Sequence, residues 1–116
     1  MHEVSIAESL IRILEEEMRP FGDAKLEGIK VRVGELSGVI ADALYFAFEV
    51  CSRGTVADGA QLEIEEIPAK GFCNFCKKEF RLEVPFLVCP MCGTPDIEIL
   101  SGRELEIDHL EIDDGS

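Results

Sequence analysis

The sequence predicts an α+β fold with a three-stranded sheet, two helices and an inserted, zinc-ribbon-like four-cysteine domain. Two observations predict this class. Apolar residues recur with helical and strand periods in the order helix, strand, helix, strand, and a last strand pattern follows residue 100. Between them, two C-x-x-C pairs stand at the spacing of metal ligands. The predicted domains are a discontinuous α/β domain at residues 1–69 and 101–116, and a zinc-binding domain at residues 70–100.

The first helix is predicted to begin near Ser5, because residues 5–8 form the capping-box pattern S-x-x-E. Charged residues fill the face opposite its apolar stripe. Pro20 and Gly22 are expected to end the helix, since both residue types interrupt helical backbone. The apolar stripe consists of Ile6, Leu10, Ile13, Leu14 and Met18.

A strand and a second helix follow. Residues 26–34 alternate between apolar and charged side chains, which predicts a strand with one face in water. Ser37 is the predicted N-cap of the second helix, and Gly54 its end. The fifth cysteine, Cys51, is interpreted as a small buried hydrophobe on this helix. The apolar stripe consists of Ile40, Ala43, Leu44, Ala47, Phe48 and Cys51.

Two more strands complete the predicted sheet. One covers residues 62–65 and ends before Pro68, and the other runs from about residue 104 to residue 113. The alternation of the last strand slips by one position near Asp108-His109, which predicts a bulge. A small hairpin arm is predicted between the two cysteine pairs, with the apolar residues Phe80, Leu82 and Val84.

Composition excludes several classes of protein. The net charge of −13 argues against nucleic-acid or anionic-membrane binding. No run of 18 apolar residues exists, so no membrane-spanning helix is expected. Charged residues throughout the first 20 positions exclude a secretory signal, and a cytoplasmic location is expected. Reduced thiols in that compartment favour metal binding over disulfides.

The charge is unevenly distributed. Residues 96–116 hold eight acidic residues and one basic residue, whereas residues 70–81 have a local net charge of +3. We interpret the acidic stretch as a solvated face with a frayed tail. The alternative is a surface that steers a partner or a cation.

Cys73 with Cys76, and Cys89 with Cys92, are predicted to hold one zinc ion. Twelve residues separate the pairs, which suits a tetrahedral site gripped by two tight turns. Gly93 follows the second pair, where a positive φ lets backbone N–H groups approach the thiolates. Four thiolates fill the coordination of zinc, so the predicted role is structural. Iron with the same ligands stays open, and a C-x-x-C redox pair is the less favoured alternative.

The start of the chain is the second candidate metal site. The α-amine of Met1, the backbone nitrogen of His2 and its imidazole Nδ1 can close two fused chelate rings on one metal ion. This planar nitrogen set favours Ni(II) or Cu(II). Glu3 can add a backbone nitrogen or a carboxylate. On the residues alone, a histidine at position 2 is more often an accident of the start than a metal ligand. Glu35, Asp42 and His109 are further candidate ligands.

The sequence carries no recognisable catalytic motif. Nucleophile elbows, P-loops, paired-histidine zinc motifs and glycine-rich dinucleotide turns are all missing from it. The chain is therefore expected not to be an enzyme.

Several segments together carry a family resemblance. They are MHEVSIAESL, KVRVGELSGVIADALYFAFEV, SRGTVADGAQLEIEEIP and the CNFC and CPMCG pairs, in that order. The chain resembles the nickel metallochaperones of NiFe-hydrogenase maturation, of the HypA/HybF type. The resemblance covers nearly the whole chain and ends before the acidic tail.

The resemblance implies a function and a set of partners. It implies a nickel-binding α/β domain with an inserted zinc domain, nickel bound at the start through His2, and zinc at the four paired cysteines. Met1 and Glu3 would complete the nickel site. It further implies a GTPase accessory protein as partner and delivery of nickel to the hydrogenase large subunit, and in some organisms to urease.

Two other function classes stay open on the residues alone. The first is a zinc-ribbon interaction module without nickel, and the second is a redox protein that uses the C-x-x-C pairs. A homodimer that exchanges the first helix or the zinc domain is also conceivable.

Overall fold

The computed structural model describes residues 3–113, and its elements confirm the predicted α+β class. Short 3-10 turns occupy Arg19–Phe21 and Glu35–Ser37. None of the helices in the described range is long and apolar enough to cross a membrane. The helices are α1 (Glu3–Met18) and α2 (Ala41–Cys51), and the strands are β1 (Lys25–Gly34), β2 (Gln61–Ile67), β3 (Lys70–Cys73), β4 (Lys78–Arg81), β5 (Ile97–Ser101) and β6 (Leu105–Asp113).

The strands form two sheets of three strands each. One sheet has the order β2-β1-β6 and is the sheet that the sequence predicts. The other has the order β4-β3-β5 and belongs to the four-cysteine segment, where only a hairpin arm was expected. In place of that arm, β3 pairs antiparallel with both β4 and β5. Of the three residues predicted for it, Phe80 lies in β4, while Leu82 and Val84 lie beyond its end.

Contacts divide the described residues into two compact units. The first unit contains the described residues of Met1–Val31, Val39–Glu65 and Ile107–Ser116. The second contains Arg32–Gly38 and Glu66–Glu106, and therefore all four paired cysteines. Each unit is described below by itself.

In the first unit, α1 packs against α2. The predicted stripe of α1 is buried except for Ile13, whose side chain is exposed because Ala7 and Ile11 take part in the buried face instead. Cys51 is half-buried, so the expectation of a fully buried thiol is wrong. The remaining buried apolar side chains of this unit include Leu26, Ile29, Val31, Leu44, Ala47 and Phe48.

Both helices begin at positions other than those predicted. α1 begins at Glu3, so Ser5 lies inside its first turn. α2 begins at Ala41 with Ile40 at the N-cap, whereas Ser37 ends a 3-10 turn. The reason is Gly38, whose φ of 79° is left-handed and breaks the helical path between Ser37 and the helix. Ser37 therefore cannot cap α2.

In the second unit, the return from β5 to β6 packs tightly against the end of β1. The Gly34 N–H donates to the Glu104 carbonyl at 2.7 Å, and the Leu36 N–H donates to the Gly102 carbonyl at 2.6 Å. A Cβ at position 34 would lie 2.0 Å from the Gly102 oxygen. Only glycine fits at this crossing, so any side chain there would force the backbone apart.

Candidate metal centre

The first knuckle is a tight turn between β3 and β4. Cys73 ends β3, and the Lys77 N–H donates to the Cys73 carbonyl at 2.8 Å, which closes the turn. Lys77 has a left-handed φ of 58°. The turn aims the Cys76 N–H at the Cys73 sulfur, with a nitrogen-to-sulfur distance of 3.2 Å. Such N–H···S bonds stabilise a thiolate, as metal ligands require.

The second knuckle repeats this arrangement. The Gly93 N–H donates to the Cys89 carbonyl at 2.8 Å, and Gly93 has the positive φ, 75°, that the sequence predicts. The Met91 N–H lies 3.4 Å from the Cys89 sulfur. Both knuckles therefore present a first cysteine whose sulfur accepts backbone N–H groups.

The fold brings all four sulfurs of the C-x-x-C pairs together. They lie within 4.8 Å of one another, and the sulfurs of Cys73 and Cys92 are 3.7 Å apart. With Zn–S bonds of about 2.3 Å, the edge of a tetrahedral site is about 3.8 Å long. All four thiols are free, and 3.7 Å is far longer than the S–S bond of about 2.05 Å. The arrangement fits a tetrahedral zinc site.

The surroundings of the cluster shift the pKa values of its thiols in different directions. A hydrogen bond with Cys92, and then burial, raise the pKa of the Cys76 thiol to about 12. The backbone N–H of Cys92, and then that of Met91, lower the pKa of the Cys89 thiol to about 7. The second knuckle thus favours the thiolate of Cys89, whereas Cys76 must lose a proton when it binds a divalent cation. The donor set therefore suits a bound metal ion better than an empty cluster.

Contacts around the knuckles hold them in place. The Asn74 amide donates to the Asp96 carboxylate at 3.0 Å, and the Cys89 N–H donates to the Thr94 carbonyl at 2.9 Å. Cys73 pairs with Lys78 of β4 and with Ile97 of β5. Cys73 and Cys89 are buried, whereas Cys92 is exposed. The site is therefore built into a sheet at one side and open to water at the other.

Met1 and His2, the predicted start of the nickel site, lie outside the described residues. Their neighbour Glu3 is the first residue of α1. The Ile40 N–H donates to Glu3 Oε2 at 3.1 Å, so this carboxylate caps the N-terminus of α2. Sequence reasoning missed this contact, which joins residues 37 positions apart. Asp42, another candidate ligand, is exposed in the first turn of α2.

The two remaining candidate ligands have other partners. Glu35 belongs to the second unit, where its carboxylate accepts the Ala69 N–H at 2.9 Å and pairs with Arg81 at 3.3 Å. The backbone hydrogen bond from Ala69 lowers the pKa of Glu35 below its usual value. His109 is exposed on β6, with its Nδ1 2.8 Å from Asp108 Oδ2. Neither belongs to a cluster of three or more potential metal ligands among residues 3–113.

Comparison with known proteins agrees with this architecture. The family described as "Hydrogenase/urease nickel incorporation, metallochaperone, hypA" matches residues 1–112. The chain belongs to the HypA family. A relative from Alkalilimnicola ehrlichii named "Hydrogenase maturation factor HypA" is 42% identical to this chain over 113 residues. The match covers 97% of this chain and 100% of that protein. The relative from Roseiflexus sp. is 44% identical over 115 residues, covering 98% and 94%.

Solved HypA structures share the fold. The solution structure of a HypA protein superposes with a TM-score of 0.69 at 29% identity, covering 97% of this chain and 96% of the other. The solution structure of the Ni metallochaperone HypA from Helicobacter pylori gives a TM-score of 0.66 at 27% identity, with 97% of each chain covered. The protein is thus a HypA-family nickel metallochaperone of hydrogenase maturation, with a four-cysteine site suited to zinc.

Proposed function

We propose that this chain carries Ni(II) as cargo at its own start and passes it to a hydrogenase during maturation. The ligands would be the α-amine of Met1, the backbone nitrogen of His2 and its imidazole, with Glu3 adjacent. Three nitrogens in one plane leave a fourth position open. An incoming thiolate or carboxylate can then bind nickel before the old ligands leave, which suits transfer.

The contact between Glu3 and Ile40 carries this proposal. Glu3 is the first residue of α1, directly after His2 in the chain. Its carboxylate is held 3.1 Å from the Ile40 nitrogen. The residue next to His2 is therefore fixed beside the first turn of α2, where Asp42 adds a second carboxylate.

The positive charge of a nickel ion at the proposed site must be balanced by negative charge. The N-termini of α1 and α2 both carry partial positive charge, which disfavours a divalent cation. Deprotonation of a backbone amide and the carboxylates of Glu3 and Asp42 would offset that charge. The proposed site therefore depends on Glu3 both as an anchor of the chain and as a negative charge.

We assign a structural zinc ion to Cys73, Cys76, Cys89 and Cys92. With four sulfur ligands the ion has no open position, so it supplies folding energy and no catalytic chemistry. The second unit buries few large side chains, among them Ile67 and Leu82. A core of this size needs a metal to be stable. We further propose that residues 70–100 form a separate zinc domain.

The proposed delivery involves partners within the hydrogenase maturation machinery. We propose a GTPase accessory protein and the hydrogenase large subunit, with urease as a further client in some organisms. The chain itself would neither bind nor hydrolyse GTP, because its sequence has no phosphate-binding glycine-rich loop. A cytoplasmic location follows from the same proposal.

The competing function is a zinc-ribbon interaction module without nickel. Metal analysis distinguishes the two. Untagged native protein and its His2→Ala variant are dialysed against Ni(II) and analysed for both metals. We expect one nickel and one zinc per native chain, and zinc alone in the variant. Zinc alone in both proteins would favour the interaction module. Metal-free protein with a reversible disulfide would favour a redox role.

A further inference from the structure

The four-cysteine end of the second unit exposes several large apolar side chains. Phe75, Met91 and Phe86 are 78%, 73% and 68% exposed. Single exposed apolar residues are normal, but an exposed cluster usually marks an interaction site. The set is called the knuckle surface below, and it consists of Phe75, Val84, Phe86, Leu87, Val88 and Met91.

Chain geometry gathers these residues around the metal centre. Phe75 and Met91 occupy the same third position of the two C-x-x-C motifs, and the four sulfurs within 4.8 Å bring the two knuckles side by side. The other four residues lie directly before Cys89. Their backbone is ordered by a turn in which the Phe86 N–H donates to the Glu83 carbonyl at 2.8 Å. The apolar groups are thus presented on fixed backbone.

The knuckle surface is not part of the core of this unit. The core instead includes Leu82, Cys73 and Cys89, which are buried. Folding of the unit therefore gives no reason for six exposed apolar side chains within residues 75–91. A partner that covers them would gain hydrophobic stabilisation in proportion to the apolar area removed from water.

Basic residues border the same surface. Lys77 and Lys78 follow the first knuckle directly and are exposed, whereas the exposed Lys70 lies at the other end of β3. Within residues 3–113 none of these three lysines forms an ion pair, whereas Arg81 pairs with Glu35. Glu79, Glu83 and Asp96 reduce the local charge, so the positive charge beside the knuckle surface is confined to Lys77 and Lys78.

We propose that the knuckle surface docks an acidic segment of a partner protein. Apolar side chains of that segment would pack on Phe75 and Met91, while its carboxylates would lie near Lys77 and Lys78. A second copy of this chain is disfavoured by the repulsion between two molecules of net charge −13. Nucleic acid is disfavoured by the same charge. This inference is independent of nickel binding and adds a partner site to the proposed function.

Peptide-display selection on the zinc-loaded native protein tests the proposal without assuming the partner. We expect enriched twelve-residue peptides to combine aromatic or aliphatic residues with an excess of Asp and Glu. One such peptide is synthesised, and its affinity is measured by fluorescence anisotropy. Phe75→Ser with Met91→Ser, and separately Lys77→Glu with Lys78→Glu, should each weaken binding at least tenfold. Raising the salt concentration should weaken it as well.

The matched control is Phe46→Ser on α2, where the phenylalanine is 69% exposed. It should leave peptide affinity unchanged within twofold. Zinc content and far-UV circular dichroism establish that every variant is folded, and nickel uptake should stay the same in all of them. A loss of nickel uptake in the unmodified protein would count against the proposed function and not against the docking site.

Four results would overturn the docking proposal. The first is a selection that yields no peptides, or only basic ones. The second is peptide affinity that survives the Phe75 and Met91 substitutions, and the third is affinity that is lost with Phe46→Ser instead. The fourth is binding of a different molecule, either a second copy of this chain or a nucleic acid, at the knuckle surface. Sedimentation equilibrium showing a dimer that depends on Phe75 would identify a second copy. A single-stranded RNA oligonucleotide that binds more tightly than the peptide would identify nucleic acid.

Discussion

Glu3 Oε2 accepts the backbone N–H of Ile40 at 3.1 Å, so a residue of the proposed nickel-binding start also caps the second helix. This bond connects the first residue of α1 with the N-cap residue of α2. The proposed nickel binding and the stability of the fold would therefore both depend on this carboxylate, and substitutions of Glu3 can separate the two effects.

Glu3→Gln and Glu3→Ala should separate the two roles. The glutamine amide oxygen can still accept the Ile40 N–H, whereas alanine cannot. We expect Glu3→Ala to lower the free energy of unfolding by about 0.5–1.5 kcal/mol, as loss of one hydrogen bond does, and Glu3→Gln to lower it less. Both should weaken nickel binding because both remove the negative charge. Urea unfolding and nickel titration provide the measurements, with Glu8→Ala, exposed on the same helix, as the control.

Replacing one paired cysteine should release zinc and unfold the second unit. Cys76→Ser leaves three thiolates, and structural zinc contributes on the order of 10–16 kcal/mol of apparent folding energy in small peptides. We expect zinc content to fall below one ion per chain. We also expect the amide signals from residues 70–100 to lose their chemical-shift dispersion in NMR spectra. Cys51→Ser should change neither. Full zinc content in Cys76→Ser would show that this sulfur is not a ligand.

Zinc binding should release protons and strengthen as pH rises. The pKa of Cys76 is raised to about 12 by its hydrogen bond with Cys92 and by burial, so this thiol is protonated in the metal-free cluster at neutral pH. It must lose its proton to coordinate zinc. Calorimetry in buffers of different ionisation enthalpy should report net proton release on zinc binding at pH 7. Proton uptake, or zinc affinity that is the same at pH 6 and pH 8, would argue against thiolate ligation.

Glu35 should contribute stability that depends on pH. Its pKa is lowered in the folded state, chiefly by the Ala69 N–H, so its contribution is present above the unfolded pKa of about 4.5. The contribution is lost as pH falls through the lower folded pKa. We expect Glu35→Gln to lower the urea midpoint at pH 7 and to have little effect at the lowest pH where the protein folds. The exposed Glu79→Gln variant serves as the control. A constant difference between Glu35→Gln and native protein at all pH values would contradict this account.

The α/β domain should fold without the zinc domain. Replacing residues 70–100 by a short Gly-Ser linker leaves both helices and the three strands β1, β2 and β6 in the chain. We expect helical circular dichroism, cooperative unfolding and nickel binding to persist in this variant. Loss of all cooperative unfolding would mean that zinc directs folding of the whole chain.

Sequence patterns correctly predicted the features of the fold that depend on residues close together in the chain. The left-handed Gly93 and the two knuckles follow from C-x-x-C spacing, because a tight turn around a metal admits few backbone paths. The strands β3 and β5 escaped prediction, since they are only four and five residues long and their pairing is set by contacts distant in sequence.

Predictions that ignored distant neighbours failed. Ser37 has the right side chain for an N-cap, but Gly38 turns the backbone away, and the cap of α2 comes from Glu3 on another helix. Glu35, a candidate ligand by sequence, is committed to Ala69 and Arg81. The partners of Glu3 and Glu35 lie more than 30 positions away, which no local pattern contains, whereas Gly38 is a local signal beside Ser37.

Calorimetric nickel titration of native protein, His2→Ala and a variant with one extra residue before Met1 tests the central claim most directly. The extra residue turns the α-amine into an amide and displaces the chelate ring, while α1, zinc content and fold should stay intact. We predict specific nickel binding in the native protein and its loss in both variants. If the extended protein binds nickel as tightly as the native one, nickel is not held by the start of the chain.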